Sequence, residues 1–347
     1  MTDFEPPLRL NLDGNALVEN WRALDARSGA ARAGAAVKAD AYGFGARPVV
    51  TRLREAGCRD FFVAHWAEAA AIADIVPPEW ISVLNGIAPD DLKAARALGA
   101  IPVLNTTEQI RLWRSSGGGR CHVMFDSGIN RLGLGSEDID GTIFDGLEID
   151  LLLSHLASAD ADVAQNLAQL RAFQSVAADM GAKRFSLANS AGIMLGPDYH
   201  FDLTRPGLGL YGGIARAGMG TFIRPVAALT ARLLQVRDVM AGQPVGYNAT
   251  HVCKMDTRIG TISIGYADGY LRAFSGKGMA HSHGLPLPVI GRISMDLVTL
   301  DISAAPDLRE GDWVDVEYDL RAASAQTGLS QYELLTNLGS RFARIWR

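Results

Sequence analysis

Along the first two-thirds of the chain, short apolar runs that end in a polar residue alternate with stretches whose apolar residues return every three or four positions. The runs at residues 35–38, 61–65, 81–85, 101–105, 121–126, 151–155, 185–189 and 201–205 are continuous rather than alternating. That texture suits strands buried on both faces of a parallel sheet. Between them, residues 48–56, 66–74, 90–98, 107–113 and 161–180 have helical spacing, the last marked by Val163, Leu167, Leu170, Phe173 and Val176. Asn105-Thr106-Thr107-Glu108 and Ala88-Pro89-Asp90-Asp91 read as helix starts. Eight strand-then-helix units predict a (β/α)8 barrel, a TIM barrel. Two shorter αβ domains are the other arrangement, but nothing between the units resembles a linker.

After about residue 222 the helical period nearly vanishes. Short β-rich runs at residues 226–236, 256–264, 287–290, 295–302 and 313–316 are separated by glycine and proline turns. They predict a mostly antiparallel β domain. The expected division is therefore a barrel over residues 10–222 and a β-rich domain over 223–347, with residues 1–9 pairing with the latter. Arg9-Leu10-Asn11-Leu12 alternates like a strand ahead of a first helix at residues 15–27, and its pairing with the C-terminal sheet would make that domain discontinuous.

Composition narrows the partners. At 347 residues, with 48% hydrophobic and 20% charged positions, the chain is globular and large enough for one big domain plus a smaller one. A net charge of −5, with no block of like charges, argues against nucleic acid or an anionic membrane. The acidic start lacks the apolar core of a secretory signal, and no apolar run is long enough to span a bilayer. Cys58, Cys121 and Cys253 are odd in number and far apart, fitting neither a disulfide frame nor a metal spacing, so a reducing cytoplasm is expected and no metal.

In such a barrel the strands' C-terminal ends face the active-site mouth. Here they carry Lys38, His65, Asn85, Asn105, Asp126, His155, Asn189 with Ser190, and Arg205. His65 alone reads as a rim residue, and Asn85 and Asn105 as caps of the turns that follow. Lys38 ends an apolar run and precedes a glycine-spaced loop with Tyr42. Two readings are open on that segment alone. Desolvation could free its amine to attack the carbonyl of pyridoxal phosphate (PLP), or its stem could pack while its head reaches water. The loop from Asp126 to Gly133 presents Arg131, whose fork suits a carboxylate or phenolate. Asn189-Ser190 and Arg205-Pro206-Gly207 follow strands seven and eight, where many barrels bind phosphate.

Together these segments resemble the alanine racemase family. Ala36-Val37-Lys38-Ala39-Asp40-Ala41-Tyr42-Gly43 resembles its PLP-attachment segment, and Arg131, His155, Asn189-Ser190 and Arg205-Pro206-Gly207 follow in order. Pro244-Val245-Gly246-Tyr247, Gly265-Tyr266-Ala267-Asp268-Gly269 and Gly291-Arg292-Ile293-Ser294-Met295-Asp296 continue the match. The resemblance runs from about Leu10 to the end. It implies a cytoplasmic PLP enzyme interconverting L- and D-alanine for peptidoglycan by two bases. It also implies a head-to-tail homodimer whose active sites are each completed by the partner's β domain. On it, Lys38 carries PLP and serves one face of the substrate, and Tyr247 of the partner subunit serves the other. Tyr42, Ser190 and Gly207 hold the phosphate, beside Asn189. His155 and Arg205 support the Tyr247 phenolate, and Arg205 faces the pyridine nitrogen. Arg131 contacts the cofactor phenolate and the substrate carboxylate. Tyr266, Arg272, Met295 and Asp296 line the substrate pocket from the other chain. Without the resemblance, Tyr247 and Tyr266 would read as turn aromatics, Met295 as core, Asp296 as a turn carboxylate and Arg272 as a solvated charge.

Two departures stand out. Met124 occupies the position of a family lysine whose carbamate orients the loop arginine, and Ser340 that of a phosphate-binding tyrosine. Three other functions compete: a racemase of broader specificity that accepts serine, a decarboxylase of basic amino acids using Cys253, and a non-catalytic PLP carrier.

Overall fold

The computed structural model describes residues 4–139 and 142–347. They divide into two compact units: Ala16–Arg224, and the described residues through Asn15 together with Pro225–Arg347. The first of the expected N-terminal residues, 1–3, lie outside the description.

The first unit is a parallel barrel. Seven strands pair in chain order: Ala35–Ala36, Phe61–Val63, Ile81–Val83, Ile101–Leu104, Gly119–Met124, Leu147–Leu153 and Arg184–Ser186. The eighth, Leu203–Thr204, pairs with Arg32–Ala33, which runs just ahead of the first. Backbone bonds from Asp202 to Phe185 (3.1 Å), Arg205 to Ala188 (2.8 Å), Gly34 to Thr204 (2.9 Å) and Ala36 to Pro206 (2.9 Å) close the ring. Phe62, Val103, Met124, Leu151, Leu153 and Leu203 pack together as one apolar cluster. A larger cluster includes Ile110, Trp113, Val123, Leu152, Leu170, Phe173 and Leu187. Burying these large side chains is the main stabilisation of a fold with such short strands, at roughly 1.5–3 kcal/mol each.

The helices follow the expected spacing less evenly. Ala46–Ala56, Trp66–Ala70, Leu92–Leu98, Thr107–Ser115 and Ala164–Asp179 form, and Thr106 rather than Asn105 caps its helix by accepting from Gln109 N. Asn105 instead donates to Leu84 O beside the neighbouring strand and to Val103 O of its own. Among the described residues, only short 3₁₀ segments follow the strands at 119–124, 184–186 and 203–204, one after the first and two after each of the others. Glycines at 128, 133, 135, 196, 207, 209 and 212, with Pro197, break the helical period there. On Ala164–Asp179, Val163 and Leu167 are exposed rather than buried, while Asn166 and Gln169 turn inward. Asn166 donates to Ala161 O, and Gln169 bonds to Ala157 N, His155 O and Ser127 Oγ. Satisfied amides therefore take places that the apolar pattern assigned to other positions.

The second unit holds an eight-stranded sheet. Its order is Thr257–Ile262, Val298–Asp301, Leu285–Ile290, Met279–Ser282, Trp313–Val316, Ala227–Val239, Leu8–Leu12 and Ala343–Trp346. Ala227–Val239 also pairs with Thr257–Ile262, so the sheet curls back on itself. All of its neighbours are antiparallel except Leu8–Leu12 with Ala343–Trp346. Leu8, Leu10 and Leu12 are buried in strict alternation, and Leu10 faces Leu229. The boundary expected at residue 10 therefore falls at Asn15, because this strand belongs to the sheet. Met279–Ser282 and Ala343–Trp346 carry no long apolar run. Helices Leu320–Thr327 and Gln331–Thr336 lie in a region expected to be mostly β, the second held by a capping box between Ser330 and Glu333.

Candidate active site

Lys38 follows the strand Ala35–Ala36, and Val37 N still bonds Phe62 O (2.9 Å) on the neighbouring strand. The chain then turns left-handed. Ala39, Asp40, Ala41 and Tyr42 all have φ between +51° and +55°. Each non-glycine residue there costs about 1–2 kcal/mol, so the turn persists because bonds hold it. Glu68 Oε1 accepts Ala39 N and Asp40 Oδ1 accepts Ala46 N, at 2.7 and 2.6 Å. Lys38 itself is half-buried. Burial first, and then the Arg131 charge, lower its pKa; Glu68 opposes them and Arg205 adds to them. A lysine so placed is a better nucleophile and base than a solvated one.

Tyr42 lies against the strand-eight loop. Its ring stacks on Tyr211 at 4.7 Å, and the Tyr211 hydroxyl donates to Ala36 O (2.8 Å). A Cβ at Gly207 would collide with the Tyr42 hydroxyl, so only glycine fits. Ser190 is buried, and its Oγ accepts from Gly207 N (3.0 Å) and Gly209 N (3.1 Å). With both lone pairs taken, its hydroxyl proton is left to donate. Asn189 Oδ1 accepts Gly192 N (2.9 Å) and so caps the turn that begins there.

Arg205 is buried and donates to Ser186 Oγ and Ser154 O. Burial alone lowers it to about 10. No carboxylate pairs with it among the described residues, so its charge is met by neutral acceptors. His155 is pushed down to about 3 by burial, and then by Arg205, Arg131 and Lys38, so it is neutral at pH 7. No hydrogen bond joins its ring to Arg205 among the described residues.

Arg131 is exposed at the tip of its loop. Asp126 organises that loop through its carboxylate, which accepts Gly128, Ile129, Asn130 and Arg131 N at 2.8–3.1 Å. Burial raises Asp126, but those four bonds outweigh it, and its pKa ends below the usual value. The loop returns to the strand where Leu134 N bonds Met124 O (2.9 Å), and a Cβ at Gly133 would meet Asp126 N at 2.7 Å. Met124 stays within the apolar cluster and offers no anion to Arg131.

The remaining expected residues lie on the β unit. Tyr247 is 66% exposed, at a turn with Gly246, Asn248 and Ala249 all at positive φ. The ribbon Pro244–Val245 with His251–Val252 presents that turn. Tyr266 and Met295 are on adjoining segments, tied by Tyr266 N to Ser294 O and Ala267 N to Met295 O, both 3.1 Å. Arg341 joins the same segments: it binds buried Asp268 through two donors (2.6 and 2.8 Å) and Asp296 through a third (2.6 Å). Asp296, expected to contact substrate, therefore has its carboxylate engaged by Arg341. The Arg272 guanidinium sits 5.0 Å from the Tyr266 ring centroid. Met295 is exposed.

Residues 12–215 match the alanine racemase N-terminal domain family, and residues 226–346 match the alanine racemase C-terminal domain family. The chain belongs to the alanine racemase family. A biosynthetic alanine racemase of Agrobacterium fabrum is 41% identical, across 98% of this chain and 94% of that protein. The alanine racemase of Acidiphilium cryptum is 40% identical, across 97% and 98%. Among solved structures, the alanine racemase of Bartonella henselae with covalently bound pyridoxal phosphate superposes with a TM-score of 0.91 at 36% identity, covering 98% of this chain and 99% of that one.

PLP is the cofactor of this alanine racemase, and the residues present fit it. The glycine cradle at Gly207, the Ser190 hydroxyl with its proton left to donate, and Tyr42 suit a phosphate. The buried, carboxylate-free Arg205 suits an aromatic ring nitrogen. The sequence did not reveal the bonds that Glu68, Gln169, Asp268 and Arg341 make to the segments bearing Lys38, His155, Tyr266 and Asp296. Their partners lie up to 73 residues away, and no local pattern marks them. The Ser330-to-Glu333 capping box was visible in sequence and would have revealed the last helix.

Proposed function

We propose that this PLP-dependent alanine racemase interconverts L- and D-alanine with two opposed proton handlers, Lys38 and Tyr247 of the partner subunit. The observation that carries the reading is Lys38 on its left-handed turn, with a pKa lowered by burial and then by Arg131. PLP, when bound, supplies a sink for the electron pair left as the Cα–H bond of alanine breaks. Lys38 Nζ holds or releases the proton on one face of Cα, and the partner's Tyr247 hydroxyl does so on the other. Arg131 orients the substrate carboxylate by its guanidinium fork. Tyr42, Ser190, Asn189 and Gly207 fix the phosphate end. Arg205 meets the ring nitrogen as a hydrogen-bond donor, which limits that nitrogen's protonation and so favours proton return over side reactions. Tyr266, Met295 and Asp296 border the substrate from the partner, Asp296 through its bond to Arg341.

The barrel unit is thus the cofactor domain, the β unit the completing one, and the working form a homodimer. We place the reaction in the cytoplasm, as a supply of D-alanine for peptidoglycan. A decarboxylase would need a catalytic cysteine open to substrate, and Cys253 is buried among Val239, Val245, Ile259 and Ile290. A serine-accepting pocket is the nearest variation, since an added hydroxyl is rejected by only about 10²-fold in apolar sites. The test is purified full-length protein with PLP and L-alanine. D-alanine accumulates towards equal amounts; absence of D-alanine overturns the reading.

A further inference from the structure

We infer that Glu68 is a positioning residue that sets the placement and charge environment of Lys38. Its two carboxylate oxygens are used by two main-chain donors. Oε1 accepts Ala39 N and Oε2 accepts Ala64 N, both at 2.7 Å. These two amides lie just beyond the paired ends of the strands Ala35–Ala36 and Phe61–Val63, whose register joins Ala36 to Phe62. Val37 N to Phe62 O is the last ladder bond before Lys38. One carboxylate thus replaces the ladder where the strands separate, and it grips the first residue of the left-handed turn. That turn holds four non-glycine residues at positive φ and does not persist by its own preference. Bonds to a charged acceptor are stronger than neutral ones, so Glu68 suits the task better than an amide would.

Glu68 also sets a negative charge beside Lys38 that favours its charged form. Arg131 and Arg205 act in the opposite sense. The charged and titratable groups at this corner include Lys38, Asp40 and Tyr42 on the turn itself, His65 (Nε2 at 3.8 Å from Glu68 Oε1), Arg131, His155 and Arg205.

The inference rests on the reading that Lys38 carries PLP, and the test separates the two. In full-length protein, PLP affinity and the pH midpoint of the bound cofactor's visible absorbance are measured for wild type, Lys38→Ala, Glu68→Gln and Glu68→Asp. Borohydride reduction that fixes the cofactor to Lys38→Ala as firmly as to wild type overturns the attachment reading itself. Given that attachment, Glu68→Gln is expected to weaken PLP binding on the order of tenfold, as loss of a charged hydrogen bond does, and to lower the midpoint. Glu68→Asp keeps the charge but cannot reach both amides, so it retains the midpoint and still loses affinity. It also serves alone if Glu68→Gln fails to fold. Wild-type affinity and midpoint in Glu68→Gln, or wild-type affinity in Glu68→Asp, overturn the inference.

Discussion

Arg205 shows how much one side chain can decide. It enters the barrel as a cation met, among the described residues, by the Ser186 hydroxyl, the Ser154 carbonyl and, at 5.9 Å, the face of Phe62. A carboxylate at this place would share a proton with the cofactor ring and deepen its electron sink. Arg205→Glu is therefore expected to lower racemisation by 10²-fold or more, in the range of a lost electrostatic stabiliser. Chiral analysis of alanine together with a pyruvate assay checks it; unchanged racemisation would remove Arg205 from the ring nitrogen. Tyr247→Phe is expected to lower kcat in both directions by about 10²–10⁴-fold, the usual worth of a general acid or base. The visible cofactor spectrum should persist, because Tyr247 does not hold PLP. A large loss of colour in that variant would contradict its assigned role. At this scale the sequence was informative where a chemical group sits at a strand end, as for Lys38 and Arg205. It was silent on Glu68 and Arg341, whose partners come from other elements.

Among the elements, the left-handed turn after Lys38 is the least expected. Alanine, aspartate and tyrosine give no sign of positive φ, and the local pattern reads as ordinary strand-to-loop. Only the surrounding bonds enforce it. Ala39 is exposed with φ +53°, so Ala39→Gly relieves strain without opening a cavity, whereas Ala39→Val adds a β-branch where the backbone tolerates it least. Thermal unfolding should show Ala39→Gly at or above wild type and Ala39→Val lower by about 1–3 kcal/mol. The reverse order would mean that the turn is not left-handed in solution. Other elements were legible for plain reasons. Leu8, Leu10 and Leu12 alternate because one face is buried, and the barrel strands read as apolar runs because both faces are. Met279–Ser282 and Ala343–Trp346 escaped because their neighbours, not their composition, make them strands.

Across the whole molecule, a second charged group of residues bears on stability rather than catalysis. His122 is buried in the barrel, with Nε2 at 3.1 Å from Ser82 Oγ and Nδ1 at 3.9 Å from Asp150. Arg184 bridges Asp150 and Asp60 at 2.8 Å each, and Arg120 adds a bond to Asp150 (3.0 Å). Burial pushes His122 down to about 3; Asp150 opposes this, and Arg184 and Arg120 reinforce it. The folded value is thus below the unfolded value of about 6.5. Its contribution to stability is full above pH 6.5 and declines as pH falls towards 3, by about 1.4 kcal/mol per unit. His155 behaves in the same sense. His122→Gln should flatten the acid limb of unfolding temperature against pH between 6.5 and 4, leaving the His155 share. An unchanged slope would show that His122 is already charged when folded.

The central claim is that each active site joins Lys38 of one copy to Tyr247 of another, and mixing two inactive variants tests it most directly. Lys38→Ala and Tyr247→Phe chains are unfolded together, refolded and assayed for alanine racemisation. Random pairing in a two-fold dimer leaves one intact site in each mixed dimer, so about a quarter of wild-type turnover is expected to return. If both groups of a site came from the same chain, no mixed dimer would hold an intact site, and the mixture would stay as inactive as its parents.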